Sequence, residues 1–510
     1  MAYFLGIDIG TTGTKTVIIN EKGKLITSSS KGYELHIPKQ DWAEQDPEDW
    51  WTAAAETVKN ILSDSGIPGE EIKGIGLSGQ MHGSVFLDSD DNVIRPAILW
   101  CDQRTARECR YITNKIGKKK LIELTCNPAL TGFTLPKIIW LRNNEPDNYA
   151  RISKILLPKD YIRFRLTGEY ATEVSDASGT LIFDVSKRKW SKQVIELMDI
   201  DKDWLPECSE SVEVSGKICR TAAEILGIPA DIPVVGGGGD QAAGAVGNGI
   251  VEKGIISAAL GTSGVVFAFS DKPQMDPQGR LHTFCHAVPG KWHIMGVMLS
   301  AGGSLRWFRD ILCKDEIAAA QLMRLDPYEI MTRNAGDVPA CSEGLVFLPY
   351  LTGERTPYPN PKARGAFIGL TIRHEKSHMV RSVMEGVTFG MNDSLNLIRE
   401  MKVKIKQIRL SGGGSRSELW RQMQADIYNT ESAVINIDEG PAFGAALLAA
   451  SGTGYFSSVE EACRESIKVV SYYNPDPETA VAYKDHYDIY HSLYKKLKIT
   501  FSEIAETQHG

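Results

Sequence analysis

Nine cysteines in 510 residues make an odd total, and no two of them are spaced as C-x-x-C. That excludes the disulfide framework of a secreted domain, so a reducing, cytoplasmic setting is expected. Positive charge is in short supply as well: 57 Lys and Arg stand against 64 Asp and Glu, a net charge of −7. No basic stripe for nucleic acid is expected from that balance. No basic segment precedes the first apolar residues, which are only strand-length, so neither a signal peptide nor a membrane span is expected. The chain also lacks G-x-x-x-x-G-K-[ST] and the H-R-D and D-F-G sets, so any phosphate it binds must be held by something other than those motifs. Five hundred residues exceed one ordinary core, and two or more domains are expected.

What the chain has in quantity is glycine, 47 residues of it. Near the centre, Val234-Val235 leads into Gly236-Gly237-Gly238-Gly239, and then Asp240-Gln241 opens a run of small residues. This reads as a short buried strand, a glycine run that lets backbone approach a ligand, and a helix. Asp240 is the first ionisable side chain after the glycines, at the positive end of that helix. An Asp there is either a plain N-cap or an acid placed for chemistry.

Two loops elsewhere match one another: Gly10-Thr11-Thr12-Gly13-Thr14-Lys15 and Gly261-Thr262-Ser263-Gly264. Each follows an apolar run and precedes β-branched residues, so each reads as strand, tight turn, strand. Two such hairpins half a chain apart suggest an internal duplication. Their hydroxyl-bearing tips suit a polyphosphate, and the helix starts after Gly239 and Gly414 are suited to anions. Asp8, just before the first tip, is either satisfied by the turn or placed to hold Mg²⁺ beside the phosphates.

Gly74-Ile75-Gly76-Leu77-Ser78-Gly79 satisfies the dinucleotide pattern G-x-G-x-x-G, but the residues that follow read as more strand and not as a helix. A dinucleotide site is therefore rejected. Asp46-Pro47 starts a helix carrying Trp51, Ala54, Ala55, Val58 and Leu62 on one face. Thr172–Asp184 reads as loop plus strand, and helices are expected from there to about Gly227. Gly440-Pro441 begins a second helix of small residues. Tyr483, Tyr487, Tyr490, Tyr494 and Leu497 form an apolar stripe expected to dock on the chain's own core, with a homodimer left open. His82 follows a glycine-rich strand end and is either structural or a substrate contact; His282 and His286 lack the Glu of H-E-x-x-H and read as packing.

Several of these segments together resemble the FGGY carbohydrate kinases: Gly6–Gly13, Gly239-Asp240, Gly261–Gly264, Gly412–Gly414, and Gly132–Asn144 as the family's signature segment. Gly79–Gly83, Trp42–Pro47 and Gly353–Pro357 resemble members that act on ketopentoses. The resemblance implies an α/β fold of two actin-like (ribonuclease-H-like) domains, residues 1–246 and 247–510, with ATP and sugar in an interdomain cleft. It implies Asp240 as general base and Asp8 as the acid that organises Mg²⁺. Met81, His82, Asp102, Arg104 and Gln241 would line or flank the sugar, although many relatives carry Asn where this chain has Gln241. Thr11, Thr12, Gly13, Lys15, Gly261 and Thr262 would meet phosphates, and Gly302, Gly413, Gly414 and Ser417 would flank the nucleotide. The reaction implied is transfer of the ATP γ-phosphoryl group to a ketopentose such as D-xylulose. Ribulose, other ketoses and glycerol stay open, as does a nucleotide-switched binding protein built on the same duplicated hairpins.

Overall fold

The computed structural model describes residues 1–507, which form two compact units. Unit 1 comprises Met1–Glu252, Phe269–His293 and Glu439–Lys468; unit 2 comprises Lys253–Ala268, Ile294–Asp438 and Val469 onward.

In unit 1 the first three strands are β1 (Tyr3–Ile9), β2 (Gly13–Asn20) and β3 (Leu25–Gly32), followed by β4 (Ile72–Gly79), β5 (Val214–Lys217) and β6 (Pro233–Val235). They lie in the order β5-β6-β4-β1-β2-β3. β1 is antiparallel to β2 and parallel to β4, and that register sets Asp8 opposite Lys15 on one side and Ser78 on the other. Between β3 and β4 runs the helix Pro47–Ser65. Asp46 caps it by accepting the Glu48 N–H, Pro47 holds its first position and Gly66, in the left-handed region, ends it.

The rejected dinucleotide pattern has a packing explanation. Helix Gly440–Gly452 lies against β1 and β4, and a Cβ on Gly6 or Gly76 would stand 1.9 Å from the carbonyl oxygens of Ala442 and Ala445. Only glycine allows the helix that close. The same helix meets helix Asp240–Gly247 backbone to backbone, since a Cβ on Gly444 would fall 1.8 Å from the Ala243 carbonyl oxygen. The two small-residue helices seen in the sequence are therefore partners, and their contact fixes the axis on which Asp240 stands.

Two segments differ from the sequence reading. Thr172–Asp184 contains a short helix, Val174–Ala177, capped by the Glu173 carboxylate. The stretch before Gly227 is interrupted by strand Glu207–Ser209 and by β5, which pairs antiparallel with β6. Pairing with distant strands overrides local helical preference there.

Unit 2 repeats the pattern. Its strands β7 (Ile255–Leu260), β8 (Gly264–Ser270), β9 (Trp292–Met298), β10 (Gln407–Ser411), β11 (Ser432–Ile435) and β12 (Val469–Tyr473) lie in the order β9-β8-β7-β10-β11-β12. β7 is antiparallel to β8 and parallel to β10, as β1 is to β2 and β4. The C-terminal helix, described from Pro477 to Thr507, buries Tyr483, Tyr490 and Tyr494. Tyr483 and Tyr490 pack on Phe389 of helix Lys376–Glu400, and the Tyr483 hydroxyl donates to Glu385. The tyrosine stripe thus docks on its own unit. Among the described residues no helix is long and apolar enough to cross a membrane.

Candidate active site

Asp8 on β1, Ser78 on β4 and Gly238 occupy one row of the unit 1 sheet. Two strand spacings put the Asp8 backbone about 10 Å from Gly238. Gly239 then caps the helix with an extended backbone, and Asp240 is its first helical residue. Asp240 is therefore not the cap. Its Oδ1 accepts the Gln241 N–H at 2.7 Å. Burial pushes its carboxyl up to about 7, helped by the negative charge of Asp8 and opposed by the Gln241 N–H. That value suits a group that takes up a proton near neutral pH.

The Asp8 carboxyl is pushed up to about 6, again by burial, against the pull of the Ser78 hydroxyl and the Lys15 ammonium. Its Oδ1 is buried without a hydrogen-bond partner. A buried carboxylate oxygen left unsatisfied by the turn is what a divalent cation requires, and Mg²⁺ on a nucleotide needs only one or two protein carboxylates. Among the described residues no group of three or more His, Cys, Asp or Glu side chains is gathered for a metal.

Met81 stands directly over the glycine run, and His82 lies against Gly179. A Cβ on Gly239 would meet Met81 Cγ at 2.8 Å, and one on Gly179 would meet His82 Nδ1 at 2.5 Å. His82 Nδ1 lies 2.7 Å from the Gly179 carbonyl oxygen, and the ring stacks at a tilt on Phe133, centroids 4.6 Å apart. Gln241 lies next to Asp240 and is half-buried. Asp102 and Arg104 form a closed knot: Nε and Nη2 of Arg104 both reach the Asp102 carboxylate, at 2.6–2.9 Å. Asp102 Oδ2 also accepts the Ala43 N–H, and the guanidinium lies 3.6 Å over the Trp42 ring centroid.

At the first hairpin tip the Thr11 hydroxyl faces inward, donating to Gln80 and accepting from Trp100 Nε1 at 2.9 Å. Thr12 is exposed, and Gly13 accepts the Gly10 N–H across the turn. Lys15 is ion-paired with Glu439. In unit 2, helix Gly302–Leu312 begins against the second tip: the Gly302 N–H donates to Gly261 O at 2.8 Å and the Gly303 N–H to Thr262 O. The Thr262 hydroxyl accepts from Arg306. Gly413 is exposed, Gly414 is buried against Leu260, and Ser417 caps helix Glu418–Tyr428 through the Trp420 N–H.

Several supporting residues went unnoticed in the sequence. Ser175 accepts the Gly239 N–H and donates to Glu173, and Thr134 and Lys137 both donate to the His82 carbonyl. Thr134 and Lys137 both lie in the signature segment, but neither carried a signal of this role there. His282 and His286 are buried, the former against Phe284, the latter at the Ile250 carbonyl, where burial pulls its imidazole down to about 3.

Family models match most of the chain. Residues 3–247 match the N-terminal domain, and 256–453 the C-terminal domain, of the FGGY family of carbohydrate kinases. A xylulose kinase of Lactococcus lactis is 40% identical over 99% of both chains, and one of Bacillus subtilis is 38% identical over 98% of both. The crystal structure of ligand-bound xylulose kinase from Lactobacillus acidophilus superposes with a TM-score of 0.92 at 29% identity, covering 99% of this chain and 100% of that one. On these matches the chain belongs to the FGGY family of carbohydrate kinases.

Proposed function

We propose that the protein transfers the γ-phosphoryl group of ATP to the terminal hydroxyl of D-xylulose, giving D-xylulose 5-phosphate and ADP in the cytoplasm. The observation that carries this reading is Asp240, a buried acid that opens its helix beside the glycine run and whose carboxyl burial pushes up to about 7. Asp240 takes the proton of the attacking hydroxyl as that oxygen bonds to the γ-phosphorus and the bond to the β–γ bridging oxygen breaks. The transition state is loose, so positioning and charge neutralisation carry most of the catalysis. Asp8 holds Mg²⁺, which when bound neutralises charge on the phosphates.

Residues 1–246 carry the sugar side and the first phosphate hairpin, and 247–510 the nucleotide side. Met81, His82 and Gln241 face the sugar, with Asp102 and Arg104 shaping the wall behind. Thr11, Thr12, Gly13 and Lys15 serve the phosphates together with Gly261 and Thr262, while Gly302, Gly413, Gly414 and Ser417 flank the nucleotide. The identity of the full-length relatives supports D-xylulose over other acceptors. Coupled ADP release across D-xylulose, D-ribulose, D-gluconate and glycerol tests it: the highest kcat/KM is expected for D-xylulose, and a higher value for any other acceptor overturns the assignment. Asp240→Ala should lower turnover by about 10²–10⁴-fold with nucleotide binding retained.

A further inference from the structure

His82 has φ of 68°, a left-handed backbone that a side chain with a Cβ rarely adopts. Such a conformation persists only where its surroundings over-determine it. Two side chains of helix Thr134–Asn144 do so here. Thr134 Oγ1 donates to the His82 carbonyl at 3.1 Å and Lys137 Nζ donates to the same oxygen at 2.8 Å. Lys137 Nζ also donates to Gly132 O at 2.8 Å, which ties the peptide before the helix to the peptide of His82.

Lys137 is fully buried and makes no ion pair among the described residues. Its hydrogen-bond partners are those two backbone carbonyls. Burial pulls its ammonium down to about 7. The residues from Thr134 to Leu141 are all buried, so neither solubility nor a surface charge accounts for a lysine at this place. A Met or Leu would fill the same volume without the cost of burying an amine.

The rest of His82 is fixed as well. A carbonyl only accepts, so Nδ1 carries the hydrogen toward Gly179 O. Phe133, immediately before Thr134, supplies the ring on which the imidazole lies. Backbone, tautomer and ring plane of one residue are thus set by Phe133, Thr134, Lys137 and the Gly179 carbonyl.

We propose that Lys137, seconded by Thr134, is a positioning residue for sugar recognition: it clamps the His82 carbonyl so that the left-handed residue holds its imidazole in one place for the substrate. This rests on the reading of His82 as a sugar contact.

A double-mutant cycle tests it, with KM for D-xylulose and for ATP measured on Lys137→Met, Thr134→Val, His82→Ala and Lys137→Met/His82→Ala. Lys137→Met should raise the sugar KM about tenfold and leave the ATP KM within about twofold. In the His82→Ala background the same change should add less than about twofold, because the side chain it positions is gone. Thr134→Val should act in the same direction, and Thr134→Ser, which keeps the hydroxyl, should restore the parent KM. Should Lys137→Met not fold, the two Thr134 variants carry the same comparison. Additive effects of Lys137→Met and His82→Ala, or equal shifts in both KM values, would overturn the proposal while leaving His82 on the sugar. An unchanged sugar KM in His82→Ala would remove the sugar assignment itself, and the clamp's role with it.

Discussion

Asp240 senses Asp8: after burial, the charge on Asp8 is the second cause lifting the Asp240 carboxyl to about 7, and Asp8 itself is held near 6. A base must be ionised to accept a proton, so kcat/KM should fall as pH drops through about 7. Asp8→Asn keeps the shape and removes the charge. The acid limb of its residual activity should then lie at lower pH than that of the parent. A limb that stays in place in the pH–rate profile would mean that burial alone sets the base.

The same shift makes a statement about stability. The folded-state value of Asp240, about 7, lies above its ordinary 3.8. The folded state therefore favours the protonated acid; the associated stability is full below 3.8 and is lost as pH rises through 7. Asp240→Asn cannot ionise and escapes that loss. Its thermal midpoint should exceed the parent's at pH 8, by a margin that shrinks toward pH 5, while turnover is lost. An equal midpoint at pH 8 would mean that the acid is better solvated than its surroundings indicate.

Two glycines of unit 2 separate packing from ligand contact. A Cβ on Gly302 would lie 2.6 Å from the Gly261 carbonyl oxygen, so Gly302→Ala must push the helix off the second hairpin tip. It should raise the ATP KM and lower the thermal midpoint together. A Cβ on Gly413 meets nothing within 4 Å. Gly413→Ala should leave the midpoint of the free protein unchanged and raise the ATP KM only if the nucleotide passes there. An unaltered ATP KM would move the nucleotide away from Gly413.

Local signals in the sequence were enough for the two hairpins, the Asp46 cap and the start of the Asp240 helix, because turn and cap chemistry is written in neighbouring residues. The fit of Gly6 and Gly76 to helix Gly440–Gly452 was not legible. That contact joins residues hundreds of positions apart, and glycine in a strand looks the same whether a ligand or a helix backbone approaches it. β5 hid among expected helices because its partner β6 lies beyond helix Arg220–Leu226, outside the window in which a local pattern is read. At the site, Asp8, Met81, His82 and Asp240 were visible as motif residues. The hydrogen bonds that Ser175, Thr134 and Lys137 make to the backbone of Gly239 and His82 were not, since a bond to a remote backbone atom leaves no spacing to read.

The Asp102–Arg104 pair separates architecture from recognition. Asp102 has no exposed surface, and four of its contacts come from Arg104 through the backbone N–H, Nε and Nη2. The guanidinium lies over Trp42, 3.6 Å from its centroid, and 4.9 Å from that of Trp140, which meets Trp42 edge-on, and its Nη1 lies 2.7 Å from Glu44. Arg104→Met strands a carboxylate in the interior, which should cost about 3–5 kcal/mol in a denaturation curve. Arg104→Lys keeps the charge but loses both the fork and the stacking, so it should recover only part of that loss. Asp102→Asn added to Arg104→Met should recover more, because no charge is then left unpaired. If the knot also shapes the sugar wall, the D-xylulose KM rises in Arg104→Lys while the ATP KM holds. A sugar KM that ignores Arg104→Lys would confine Asp102 and Arg104 to holding Trp42 and Ala43 in place, with Met81, His82 and Gln241 left as the side chains that read the sugar.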